Sequence, residues 1–254
     1  MNWSNLSANP YAISYLEKHL DKVDWNYLSL NPNAIHLLKK NPDKIDWYNL
    51  SLNPNAIQLL DENPDKIQFL TLSSNINGIE LLNKYMDIGS IVPKNLKNEK
   101  ISPNCIGWHY LSANPNAIEI LEKNASKIDI YYLCQNPNAI YLIEEQEPST
   151  WNWFHLSANP NAIHLLEKYP ENIDWMMLCK NPNAIHLIEE NMDKIWWITL
   201  SENPNAMHII EHNLDKINWR SLSLNPNATY LLKQYKEKIS WSNLCSHKDI
   251  LEFL

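Results

Sequence analysis

His36, His164, His186 and His208 occupy one position of a recurring segment, and the last three fall in consecutive copies. Imidazoles in a row could ligate a metal. Cys105, Cys134, Cys179 and Cys245 could add thiolates or a nucleophile. The spacing disfavours both. Histidines on neighbouring packed helices lie about 8–10 Å apart, whereas metal–nitrogen bonds near ~2.1 Å need closer side chains or further ligands. No two cysteines have Cys-x-x-Cys spacing. His155 and Cys134 have no acid placed to support them. Glu144–Glu145 and Glu189–Glu190 read as solvated helix faces, and three Gly in 254 residues leave little material for an oxyanion or phosphate loop. The expectation is therefore no catalytic residue, no metal site and no cofactor, with His164, His186 and His208 kept as an alternative binding surface.

The elements that carry these residues are copies of one another. Asn-Pro recurs at Asn9, Asn31, Asn53, Asn114, Asn136, Asn159, Asn181, Asn203 and Asn225, 22 residues apart except for 23 between Asn136 and Asn159 and a gap after Asn53. Asn75-Ile76 fills the slot in that gap. Counting back from Asn114 puts Val92-Pro93 in register and leaves an irregular unit, with a kink expected over 86–107. A half-unit, "HKDILEFL", follows Asn225. About eleven units thus occupy 1–254 as a single repeat domain.

Each unit reads as helix–turn–helix. Asn31 before Pro32 suits an N-cap with Pro at the first helical position, and Leu30 can staple onto Ile35. Ala34, Ile35, Leu37 and Leu38 form an apolar stripe, while Asn33, His36, Lys39 and Lys40 face away. Asn41-Pro42-Asp43 turns the chain. Asp46 can cap a second helix on which Trp47 and Leu50 share a face. Helices this short are not stable alone, so stacking must hold them. The expected fold is all-α, a right- or left-handed α-solenoid of 22-residue repeats. Units at about 8–10 Å each would make an elongated array, with complementary ends.

Trp25, Trp47, Trp175 and Trp219 share one slot with five further Trp, and are assigned to the core. The Ser slot four residues after Trp becomes Cys at Cys134, Cys179 and Cys245, which reads as a small buried side chain. Functional information is then expected where units differ. The two residues after Trp are large and apolar in the later copies: Phe154, Met176, Met177 and Ile198. Trp151 and Trp196 stand outside the Trp slot, Trp196 where Asp46 and Asp174 occur elsewhere. Trp, Met and Phe are common at interface cores. Trp151, Phe154, Met176, Met177, Trp196 and Ile198 are therefore the candidate partner-binding residues.

A net charge of −8 disfavours nucleic-acid and anionic-membrane binding, and no apolar run is long enough to span a bilayer. "MNWSNLSANP" lacks the charged and apolar regions of a signal peptide, so a reducing cytoplasmic setting with free thiols is expected. "LSANPNAIEILEKN" (111–124) and "LSANPNAIHLLEKYPENIDW" (156–175) resemble the tandem-repeat proteins of large DNA viruses that infect amoebae and algae. The resemblance implies a viral protein in the host-cell cytoplasm with a role like that of ankyrin arrays, and it carries over no catalytic residue. The expected function is a non-enzymatic protein–protein interaction scaffold, monomeric or joined through its ends. A self-assembling structural protein is the first alternative, and a metal- or ligand-binding protein a distant one.

Overall fold

The computed structural model describes residues 1–86 and 106–254. These residues form short helices and no strand. One unit shows the pattern. The helix Trp25–Leu30 is followed by a turn, the helix Ile35–Lys40 and a 3-10 turn at Pro42–Lys44. The next unit starts with the helix Trp47–Leu52, capped as expected by Asp46, whose Oδ1 accepts the Asn49 N–H at 2.8 Å. The Trp-bearing helices of successive units pack on one another, Trp3–Ala8 on Trp25–Leu30 and Trp25–Leu30 on Trp47–Leu52. Leu28, Leu50, Leu72, Leu111 and their equivalents are fully buried between them, beside the alanine that precedes each second helix (Ala34, Ala56, Ala117). No helix among the described residues is long and apolar enough to cross a membrane.

Asn31 does not cap the second helix. That helix begins at Ile35, and its N-cap residue, Ala34, has no side-chain cap. Asn31 instead folds its side chain over its own turn, Oδ1 accepting the Asn33 N–H at 3.0 Å. Its Nδ2 points backwards, donating to the carbonyls of Ser7 (2.9 Å) and Asn9 (2.8 Å) in the preceding unit. The side chain is fully buried, so these bonds are sheltered from water. Asn fits because one short amide offers two donors and an acceptor. An Asp there would set a carboxylate against two carbonyls.

The arrangement repeats at Asn53, Asn75, Asn114, Asn136, Asn159, Asn181, Asn203 and Asn225, each Nδ2 lying 2.8–3.2 Å from two carbonyls of the unit before. A second row runs beside it. Ser29 Oγ accepts the Asp46 N–H of the next unit at 3.0 Å and donates to the Trp25 carbonyl at 2.9 Å. In the Cys units the sulfur keeps the acceptor role, Cys179 Sγ taking the Trp196 N–H at 3.4 Å. Cys134, Cys179 and Cys245 are buried free thiols; Cys105 lies outside the described residues.

The ladder bears on two expectations. Asn114 donates directly to the Ser73 and Asn75 carbonyls (3.1 and 3.0 Å). The rung of Asn114 therefore rests on that of Asn75; Val92-Pro93 lies outside the described residues. The kink expected over 86–107 falls almost wholly outside the described residues. The elongated shape is corrected. Asn9 Nδ2 donates to the Cys245 and His247 carbonyls at 2.9 and 3.0 Å, and the Asn2 N–H meets Cys245 Sγ at 3.4 Å. These are the contacts that any unit makes with the one before it, so the succession of units closes on itself. His247 stands in the Asn slot and imitates it. Its Nδ1 accepts the Asp249 N–H at 3.0 Å, and Nε2 faces the Asn225 carbonyl at 2.8 Å. That pairing requires the proton on Nε2.

Candidate docking surface

The Trp slot is half-buried. Trp25, Trp47, Trp175 and Trp219 pack one side against the core, and lysines cover several of the exposed faces. Lys44 Nζ lies 4.6 Å from the Trp25 ring centroid and Lys194 Nζ 4.4 Å from that of Trp175, which is cation–π geometry. The residue after each Trp starts a different surface. It sits at the first turn of the Trp helix with its side chain outward, on helices that pack side by side. In order it is Tyr48, Leu70, His109, Tyr131, Phe154, Met176 and Ile198. Tyr48, Leu70, Tyr131, Phe154 and Ile198 are exposed, Ile198 to 55%, and Met176 is half-buried. Apart from His109 the row is apolar or aromatic, and Asn26 and Arg220, in the same position, bound it at either end.

The second residue after Trp leans on the preceding unit. Asn49 Nδ2 donates to the Asn26 carbonyl and Asn243 Nδ2 to that of Arg220, at 3.1 and 2.8 Å. Met177 and His155 take this position, and both are half-buried. His155 stacks among Tyr131, Tyr132 and Phe154, with ring centroids 4.9–6.5 Å away. Burial there holds its imidazole below the ordinary histidine range.

Of the residues singled out from the sequence, the structure brings Phe154, Met176 and Ile198 into one row, with Met177 beside it and Trp196 at its edge. Trp196 is 53% exposed. It sits where other units place the Asp cap, so the helix Trp197–Leu200 begins without a side-chain cap. Trp151 does not belong to this surface. It is 7% exposed and fills the slot held by Ile45, Ile128 and Ile173 in other units. Its ring contacts Trp153 (5.4 Å) and Tyr169 (5.8 Å), and its Nε1–H donates to the Gln146 carbonyl at 3.2 Å. The extra residue of this unit precedes Trp151, which shifts the Trp into the core. Tyr48 and Tyr131 point off the core face, as their place after the Trp slot implies, but are not among the candidate binding residues read from the sequence, and Leu70 joins them beside Phe69. Their shared position immediately after the Trp slot was the available signal.

His164, His186 and His208 are exposed and do not converge. Each pairs with a glutamate of the preceding unit: Nε2 lies 3.1 Å from Glu144, 3.1 Å from Glu167 and 2.8 Å from Glu189. His36 does the same with Glu17 at 2.8 Å. Tyr141 holds this place in its own unit, its hydroxyl donating to Glu122, and the carboxylate pushes the phenol up to about 12. Among the described residues no three His, Cys, Asp or Glu side chains gather as metal ligands would. Burial raises the Cys134 and Cys179 thiols above the ordinary range, which opposes thiolate formation. No protein-family description, no curated protein and no solved structure matches this chain.

Proposed function

We propose that the chain is an α-solenoid of about eleven 22-residue units closed into a ring, and that it works as a non-enzymatic scaffold for another protein. The observation that carries this reading is the apolar row from Tyr48 to Ile198. Successive units need not present apolar side chains outward to stack, because the Asn and Ser ladders and the buried leucines already join them. Exposed apolar rows of this kind are the usual anchors of protein interfaces. With an overall charge of −8, a partner with an apolar patch and a basic rim would be steered onto the row, a gain in on-rate more than in affinity. The viral and host-cytoplasmic setting implied by the repeat signature belongs to the same proposal. Assembly of copies through their ends, the competing role, would first have to break the contacts of Asn2 and Asn9 with Cys245 and His247.

The test compares wild type with Trp196→Asp and Ile198→Asp in affinity capture from cells in which the repeat family operates, alongside light scattering. Trp196→Asp restores the cap residue of other units, so its helicity should be unchanged. Loss of a specific captured partner in both variants supports the scaffold reading. Capture that survives both, or a concentration-dependent homo-oligomer with no partner, overturns it.

A further inference from the structure

One unit lacks the two side chains that fill the flank of the others. In several units the Trp ring lies against a side chain 12 or 16 positions further on, and a lysine covers Trp3, Trp25, Trp175 and Trp197. Trp3 stacks with Tyr15 at 6.1 Å and with His19 at 6.0 Å, Trp153 meets Tyr169 at 5.6 Å, and Trp219 meets Tyr235 at 5.0 Å. In the unit of Asn136 the Trp is replaced by Ile130. The 3-10 turn that ends in the covering lysine at Pro42–Lys44 and Met192–Lys194 here ends in a hydroxyl, Pro148–Thr150. What remains is a groove of about 530 Å³ whose walls include Ile128, Ile130, Leu133, Leu142 and Gln146. Leu142 and Gln146 are the residues 12 and 16 positions after Ile130, so the groove coincides with the missing indole. Glu122 and Glu145 also line it.

We propose that this groove is a binding site for a protonated arylalkylamine: a planar aromatic ring on a short tether to an ammonium. The ring takes the place that an indole holds in the neighbouring units, against the isoleucine and leucine side chains. The ammonium is met by the carboxylates of Glu122 and Glu145, which line the same groove. The size lies within the ~300–1,000 Å³ of small-molecule pockets, and an apolar floor with a few placed polar groups is their usual composition. The Tyr141 hydroxyl, bonded to Glu122 at 2.5 Å, holds that carboxylate in place. The site is separate from the docking row and does not depend on it.

The experiment titrates the intact protein with tryptamine, with indole-3-propionate, which exchanges the ammonium for a carboxylate, and with n-butylamine, which lacks the ring. Binding is read by methyl NMR and calorimetry. Tryptamine should shift the methyls of Ile128, Ile130 and Leu142, and should bind at least about tenfold more tightly than either analogue, the worth of one charge-assisted contact. Ile130→Trp, which restores the side chain of the other units and should fold, must abolish binding. Glu122→Gln with Glu145→Gln should bring tryptamine down to the level of the uncharged contact. Equal affinity for tryptamine and indole-3-propionate, unchanged binding in a folded Ile130→Trp, or no methyl shift in wild type overturns the proposal.

Discussion

Replacing Asn53 by Ala removes one rung of the ladder, and the cost follows from its bonds. Asn53 donates to the Ser29 and Asn31 carbonyls, both at 2.9 Å, and accepts the Asn55 N–H at 3.0 Å. The Asn31 carbonyl keeps the Ala34 N–H, at 3.1 Å. The Ser29 carbonyl loses its donor in a buried place. Two buried bonds and one part-buried bond, at about 1 kcal/mol each, give a destabilisation of about 3 kcal/mol. For a chain of this size that corresponds to a fall in Tm of roughly 6–12 °C. Asn55→Ala is the control. Its Nδ2 also reaches the preceding unit, at the Pro32 carbonyl (2.9 Å), but the side chain is exposed and water can replace it. That variant should cost under about 1 kcal/mol. Asn53→Asp keeps the shape, removes both donors and should do at least as much damage as Ala at pH 7. Thermal unfolding followed by far-UV circular dichroism measures all three. If Asn53→Ala melts within error of Asn55→Ala, the buried amides are not what joins the units.

Cys179→Ser should be neutral or slightly stabilising in denaturant melts, because Ser fills the slot in most units and a hydroxyl accepts an N–H better than the sulfur now 3.4 Å from Trp196 N. A loss above about 1 kcal/mol would count against the equivalence of the two residues. Lys194→Ala should remove a cation–π contact worth about 0.5–1 kcal/mol and change the fluorescence of Trp175, whereas Lys248→Ala, away from any Trp, should do neither. His155 should titrate below the ordinary histidine value in NMR spectra. Because its folded value is depressed, its contribution to stability is complete above the unfolded histidine value and is lost as the pH falls below it. A midpoint for His155 at or above the ordinary histidine value would show that the ring is not buried as described.

Much of the architecture was legible in the residues. The 22-residue period, the Asp46 cap, the buried leucines and the small Ser/Cys slot all follow from local rules. The Asn-Pro pair misled because an Asn before Pro satisfies the requirements of a helix cap and of an Asx turn equally well. What separates them is the pair of carbonyls that Asn31 reaches in the preceding unit, and no local pattern reports these. Closure was hidden for a related reason. The last rung uses His247 and Cys245 in place of Asn and Ser, and curvature accumulates from small rotations between units that no single residue specifies. On the surface, the large residues at Phe154, Met176 and Ile198 were visible as departures from a polar pattern. Trp151 departed in the same way but occupies an Ile slot, because the extra residue lies before it. The groove beside Ile130 was marked by a Trp exchanged for a smaller side chain, which reads as a harmless core substitution until the place of the missing ring is seen.

The closure of the units on themselves is tested most directly by a distance. Tyr11 and Leu251 are exposed, and the 3-10 turns that carry them, Pro10–Ala12 and Ile250–Glu252, touch one another. Spin labels at these two positions, read by double electron–electron resonance, should give a narrow distribution on the order of 10–25 Å, the 8–10 Å spacing of packed neighbours plus the label arms. An open array of about eleven units at that spacing would place the labels roughly 80–100 Å apart, and a distribution in that range would contradict the ring.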